Sequence, residues 1–168
     1  GTETARRAHA LGMEVIATRG SRREGPDFVS YVGLADELPE LVGRADVVVN
    51  ATPLTAATRG LFDAEMFGRM KSTAYFINVG RGGSVVTDDL VAALQDGAIA
   101  GAGLDVTDPE PLTEGHPLWS MPNVIITPHV AAGSDVRVRR LWLVMRENLR
   151  RYVAGEPMLS VVSVERGY

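Results

Sequence analysis

The sequence predicts a doubly wound, parallel α/β sheet, and three observations carry that prediction. Short apolar runs alternate with stretches of helical spacing along nearly all of the 168 residues, joined by loops of ordinary length. One run, Val47-Val48-Val49, is continuously apolar, which suits a strand of a parallel sheet covered on both faces. Three further runs each end in a polar motif: Asn78-Val79-Gly80-Arg81-Gly82-Gly83, Leu104-Asp105-Val106 through Glu110-Pro111, and Ile126-Thr127-Pro128-His129. Ligands of open α/β sheets bind in the crevice beyond the carboxyl ends of the strands. An arginine, a glutamate and a histidine delivered there by three strands can grip an anion and move a proton.

The elements follow in order. A helix is expected over 2–11, with Ala5, Ala8 and Leu11 on one face and Gly12 as its stop. A strand at 14–18 leads into a loop over 19–29, rich in arginine and glycine, and then a short strand at 30–32. Leucines at helical spacing run through 34–42. Residues 46–51 form a strand, with 52–55 as the loop beyond it. A short helix covers 63–70, a strand 74–79, a helix 87–95, a strand 99–106 and a last core strand 124–126. Ser134 can cap a long closing helix that runs to about residue 154. Its Leu141, Val144, Met145, Leu149 and Tyr152 recur roughly every 3.6 residues, which predicts packing into the core. The tail from Met158 to Tyr168 reads as extended and apolar enough to pack on something.

No strand precedes the first helix. The run at 14–18 therefore reads as the second strand of a βαβ unit whose first strand lies upstream. Gly1 is then the last glycine of a G-x-x-x-x-G or G-x-G-x-x-G turn, the alternative being a glycine before an ordinary surface helix. In the strand order 3-2-1-4-5-6 the absent strand is central. Strands 14–18 and 47–50 are then left with unpaired inner edges, which predicts self-association.

Composition narrows the function. Apolar residues make up 45% of the chain, enough to fill a core, and the net charge of −4 with mixed acids and bases argues against a nucleic-acid groove. There is no cysteine, and His9, His116 and His129 form no metal-ligand pattern, so no metal site is expected. His116 falls in a turn and His9 on the first helix, and neither is assigned a role. No apolar run approaches the roughly 20 residues of a membrane span, and no signal-peptide pattern is present. The expected setting is cytoplasmic.

Taken together, the motifs resemble the D-isomer-specific 2-hydroxyacid dehydrogenases. The resemblance rests on Val49-Asn50-Ala51-Thr52-Pro53-Leu54-Thr55 with Thr58, on Phe76-Ile77-Asn78-Val79-Gly80-Arg81-Gly82, on Gly103-Leu104-Asp105-Val106 with Glu110-Pro111-Leu112, and on Pro122-Asn123-Val124 through Thr127-Pro128-His129. It covers nearly the whole chain, but only the cofactor-binding domain of that family, whose substrate lobe is absent here. The closing Glu165-Arg166-Gly167-Tyr168 also resembles a family C-terminus. The resemblance implies a Rossmann-like sheet. It implies an NAD(P)-binding domain over 1–154, incomplete at its start, with 155–168 returning toward the missing lobe. It implies reduction of a small 2-oxo acid, or oxidation of a D-2-hydroxy acid, with a nicotinamide. By motif, His129 is the acid/base, Glu110 its partner and Arg81 the substrate anchor. Thr52, Pro53, Thr58, Val79 and Gly80 fall in cofactor-binding loops, and Asp105 falls near the nicotinamide carboxamide. A carboxylate beside an imidazole favours its charged form, which keeps a proton for the carbonyl oxygen. The planar fork of an arginine suits a carboxylate better than a lysine does. Some relatives are dinucleotide-sensing corepressors with the same three residues, so the alternative reading is a binding module without turnover, or an inactive fragment. A homodimer or larger assembly is expected in either case.

The cofactor's identity is read at the end of the second strand, where NAD enzymes carry an acidic residue for the ribose hydroxyls. This chain instead has Thr18-Arg19-Gly20-Ser21-Arg22-Arg23, with no acid before Glu24. Arg19, Ser21 and Arg22 suit a 2′-phosphate. NADP(H) is therefore preferred, with NAD(H) the alternative, and the loop resembles that of the glyoxylate and hydroxypyruvate reductases.

Overall fold

The computed structural model describes residues 1–20 and 22–163. The expectations for Ser21 and for the closing 165–168 lie outside the described residues. In chain order the elements are α1 (Thr2–Ala10), β1 (Ile16–Arg19), β2 (Tyr31–Leu34), α2 (Leu38–Arg44), β3 (Val47–Asn50), α3 (Ala64–Arg69), β4 (Tyr75–Asn78), α4 (Thr87–Gln95), β5 (Gly101–Leu104), β6 (Val124–Ile126) and α5 (Arg137–Val153). Single 3-10 turns lie at Ala35–Glu37, Gly82–Ser84 and Pro117–Trp119.

Local chemistry sets several boundaries. Gly12 takes φ +85° just after α1, a conformation that a residue with a Cβ rarely adopts. Asp63 caps α3 by accepting from Met66 N at 2.9 Å. His116 does the same for the turn Pro117–Trp119, its Nδ1 accepting from Leu118 N at 3.3 Å.

Strands β3, β4, β5 and β6 pair in that order as a parallel sheet, and β1 pairs with β2, also in parallel, as a separate sheet. Among the described residues β1 and β3 share no hydrogen bond, so each keeps an inner edge without a strand partner. Those are the edges expected at 14–18 and 47–50. Asn50, Asn78, Leu104 and Ile126 share one register row at the strand ends. The loops that follow four strands therefore leave from a common rim.

The core lies on one face of the four-stranded sheet. Val48, Phe76, Ala102 and Leu104 point into it and meet Val42 of α2, Phe67 of α3, and Leu90, Ala93 and Leu94 of α4. Phe67 packs edge-on against Phe76 at 5.3 Å between centroids. The other face differs from expectation. Val47, Val49, Tyr75 and Ile125 are exposed there, so the apolar run 47–49 marks a strand with one covered face. Continuous apolarity shows that a strand can be covered on both sides; it does not supply the second cover.

The stripe on α5 gives the same lesson. Leu141, Val144, Met145, Leu149 and Tyr152 are all exposed and α5 has no buried residue, which corrects the expected core packing. A 3.6-residue period records an apolar face, and its partner is a tertiary matter. Ser134 precedes the helix without capping it directly: Oγ accepts from Val136 N at 3.2 Å, and Val136 is the N-cap. The tail folds back on α5, where Asn148 Oδ1 accepts from Leu159 N at 2.7 Å and Nδ2 donates to Leu159 O at 3.0 Å. No helix among the described residues is long and apolar enough to cross a membrane.

Candidate active site at the carboxyl rim of the sheet

The three polar motifs converge at the rim, and the scaffold beneath them is a buried polar network. Asn50 and Asn78, register partners on β3 and β4, are 2% and 1% exposed, and Ser84 is fully buried. Asn50 Nδ2 donates to Asn78 Oδ1 at 3.0 Å and to Ser84 Oγ at 2.6 Å. Asn50 Oδ1 accepts from Thr52 N at 3.2 Å and from Thr52 Oγ1 at 2.7 Å. Asn78 Oδ1 accepts from Gly80 N, and Asn78 Nδ2 and Ser84 Oγ both donate to Arg81 O. Every buried polar side-chain atom among the described residues has a partner, so the network is closed and rigid. It holds Thr52, Gly80 and the backbone of Arg81 in one frame.

Arg81 itself is exposed, and its Nη1 donates to the adjacent Gly80 O at 2.7 Å. It makes no direct bond to Glu110 or His129 among the described residues. Those two do meet: His129 Nδ1 and Glu110 Oε1 are 2.6 Å apart, with both side chains partly exposed. With Nδ1–H donated to the carboxylate, Nε2 is the ring nitrogen left to exchange a proton with a ligand.

His129 is held in an unusual conformation. Its φ is +54°, in the left-handed region that costs a non-glycine residue about 1–3 kcal/mol. The clamp that maintains it is Asp105, at the end of β5 and 7% exposed. Asp105 Oδ1 accepts from Thr127 Oγ1 at 2.6 Å and from Val130 N at 2.9 Å, and Oδ2 accepts from Ala131 N at 2.8 Å. Burial pushes this carboxyl up. The bonds from Thr127, Ala131 and Val130, together with the charge of His129, outweigh burial and hold it below the usual carboxylate range. Asp105→Asn replaces one acceptor oxygen with an amino group that faces a backbone N–H. The expected result is exposure of the Val130 or Ala131 amide to hydrogen exchange and a loss of about tenfold or more in kcat, since a bond to a charged acceptor contributes roughly 1.5–3 kcal/mol. The sign of the pH effect follows from the direction of the shift. A carboxyl lowered on folding stabilises above its unfolded value, near 3.9, and that stability is lost as pH falls through the lower folded value. Acid titration of the wild type against Asp105→Asn checks this, because the variant lacks the step.

Most of the remaining expected residues lie in or beside the loops of the same rim. Gly1 precedes α1, with Ala5 N donating to its carbonyl at 2.9 Å, and a Cβ built on it would stand 3.8 Å from Ala51 Cβ, just past β3. The α1 N-terminus, a natural anion site, thus adjoins the β3 loop. Pro53 is exposed, and Thr58 Oγ1 is occupied within that loop, donating to Pro53 O at 2.6 Å and accepting from Thr55 N at 2.8 Å. Thr58 therefore shapes the loop. Val79 is half-buried and Gly80 buried, where a Cβ would come within 2.8 Å of Thr52 O. Arg19, the last residue of β1, and Arg22, in the loop after it, are both exposed and apart from the triad motifs.

Sequence reading did not assign the Asn50–Asn78–Ser84 network or the clamping role of Asp105. The signal available was two asparagines ending adjacent strands, each followed by a functional loop. It did not identify Gly82 as a packing requirement, because the atom it accommodates belongs to a different loop.

Parallel α/β strands, an α1 N-terminus beside the β3 loop, a carboxylate–imidazole pair at the sheet rim and a basic end on the strand after α1 are the arrangement of a dinucleotide-binding domain. The chain belongs to the D-isomer specific 2-hydroxyacid dehydrogenase family: residues 1–131 match that family's NAD binding domain. It is 39% identical over 160 residues to the glyoxylate reductase/hydroxypyruvate reductase of Homo sapiens, covering 95% of this chain and 49% of that protein. Among solved structures it resembles a D-isomer specific 2-hydroxyacid dehydrogenase from Xanthobacter autotrophicus Py2 in complex with NADPH and MES, at 40% identity and a TM-score of 0.92, covering all of this chain and 68% of that one. It also resembles the NADPH-dependent glyoxylate/hydroxypyruvate reductase of Sinorhizobium meliloti in complex with NADP and sulfate, at 39% identity and a TM-score of 0.89, covering all of this chain and 54% of that one. The chain spans about half the length of the curated relatives it matches.

Proposed function

We propose that this chain is the cofactor-binding part of a nicotinamide-dependent reductase that converts a small 2-oxo acid of the glyoxylate or hydroxypyruvate type to a D-2-hydroxy acid. The observation that carries the reading is the 2.6 Å pair of His129 Nδ1 and Glu110 Oε1 at the sheet rim, beside the loop of Arg81. His129, through Nε2, gives a proton to the carbonyl oxygen of the substrate. Glu110 orients the ring through its bond to Nδ1. Arg81 binds the substrate carboxylate, exchanging its contact with Gly80 O for a charged one.

The residues present fit a dinucleotide. The backbone at Gly80 leaves no room for a Cβ, Asp105 retains acceptor capacity beyond its three bonds, and the exposed Arg19 ends β1 with the exposed Arg22 in the loop after it. Gly1, Thr52, Pro53, Val79, Gly80 and Asp105 would hold the cofactor, with Thr58 bracing the loop. Arg19 and Arg22 would hold a 2′-phosphate, which favours NADP(H) over NAD(H). When bound, the reduced nicotinamide supplies the hydride.

Residues 1–154 form the cofactor domain on this reading, with 155–168 as its C-terminal tail. The inner edges of β1 and β3 and the apolar face of α5 favour a homodimer or larger assembly. The reading carries with it a cytoplasmic setting and no nucleic-acid or membrane partner.

The experiment is steady-state oxidation of NADPH and NADH by the full protein with glyoxylate or hydroxypyruvate. Turnover with a preference for NADPH is expected. Arg19→Ala with Arg22→Ala should weaken NADPH by roughly ten- to hundredfold and leave NADH nearly unchanged, because only NADPH carries the 2′-phosphate. Tight NADPH binding without turnover of either acid would leave a dinucleotide sensor as the better account.

A further inference from the structure

The loop after β1 has a second anchor that the cofactor reading does not use. Arg23 Nη2 pairs with Glu37 Oε1 at 2.6 Å, and Arg23 Nη1 donates to Tyr31 Oη at 3.2 Å. Tyr31 Oη donates to Glu37 Oε2, and Leu34 N donates to Glu37 Oε1 at 2.8 Å. The carboxylate of Glu37 is therefore bonded from the loop, from the start of β2 and from its end. Arg19 Nη1 donates to Glu24 O at 2.6 Å, which turns the loop back toward β1. Between these two ties, Arg22 makes no hydrogen bond or ion pair among the described residues.

An isolated exposed ion pair contributes little, but this one is a closed cluster around a carboxylate whose side chain is only 22% exposed. The bond from Arg23, then those from Leu34 N and Tyr31, hold the Glu37 carboxyl down to about 2, so the cluster keeps its charges across the working range of pH.

We infer that Arg23, Glu37 and Tyr31 form a positioning clamp that sets cofactor selectivity, fixing the loop after β1 so that Arg22 presents its guanidinium to the 2′-phosphate while Arg23 is withheld from it. This rests on the NADP(H) reading above. Arg23 spends its guanidinium on the clamp, and Arg22, one residue earlier, has its own to offer. An ordered loop loses less entropy when it engages a phosphate than a loose one does.

The test uses the full protein and titrations with NADPH and NADH of the wild type, Arg23→Ala, Glu37→Gln and the double variant. The clamp predicts that either single substitution raises the Kd for NADPH by about tenfold, that the double variant is no worse than the singles, and that the Kd for NADH stays within about twofold. If Arg23→Ala weakens NADPH while Glu37→Gln leaves it unchanged or tightens it, Arg23 binds the phosphate directly and the clamp is overturned. Equal weakening of both nucleotides points to general damage to the fold and also overturns it, as does no change in either. A wild type that prefers NADH, with Arg19→Ala and Arg22→Ala without effect, removes the NADP(H) reading itself. A wild type that prefers NADPH with unaffected clamp variants removes only the clamp.

Discussion

His129→Ala in the full protein is expected to lower kcat by roughly 10²–10⁴, the range for loss of a positioned general acid. Nucleotide Kd should hardly move, because the imidazole is tied to Glu110 and not to the basic end of β1. Glu110→Gln should give a smaller loss of the same kind. It leaves a hydrogen-bond acceptor beside Nδ1 but replaces a charged bond with a weaker neutral one, so the ring is held less firmly. Arg81→Ala should damage kcat/KM at least as badly as the histidine change, with the KM for the 2-oxo acid raised. Near-normal turnover of the His129→Ala protein would sink the proposed acid/base role.

Gly82→Ala should have the largest effect on stability. A Cβ at Gly82 would lie 1.8 Å from Thr107 O and 2.1 Å from Thr107 C, both backbone atoms. No side-chain rotation relieves that overlap, so either the loop after β4 or the loop after β5 must move. Overpacking of this kind typically costs about 1–3 kcal/mol and sometimes more. The displacement would also separate Arg81 from the segment that leads to Glu110. The variant should therefore unfold at lower denaturant concentration and lose activity beyond what its remaining folded fraction explains. A midpoint and a kcat both close to wild type would show that the two loops tolerate separation.

The comparison with Asp105→Asn is informative. That change removes a local hydrogen-bond clamp on residues 127–131 and should leave the β4 and β5 loops in contact. Activity should fall in both variants, with the larger fall in global stability confined to Gly82→Ala.

Much of the site was legible in the chain. Arg81, Glu110 and His129 each follow an apolar run, and a parallel sheet brings the ends of such runs to one rim. The alternation of elements was equally legible, since helix and strand periods are local and need only a few residues to declare themselves. The cap on α3 is of the same kind: Asp63 and Met66 are three residues apart. The roles of the buried polar residues were not legible. Asn50 meets Asn78 across 28 positions and Asp105 meets Thr127 across 22, and each pairing depends on strand register that no local pattern specifies.

The sequence by itself determined that this is a parallel α/β domain with a guanidinium, a carboxylate and an imidazole past three strand ends and an arginine-rich loop past another, because those features are written in short-range period and order. The tertiary structure decided which atoms meet. It joined Glu110 to Nδ1 of His129, turned Asp105 into the clamp of the histidine loop, pressed Gly82 against Thr107, and left the α5 stripe and one sheet face uncovered. Those outcomes depend on contacts between residues far apart in the chain, whose distances are set by sheet register and by what packs on each face, and an apolar period carries no address for its partner.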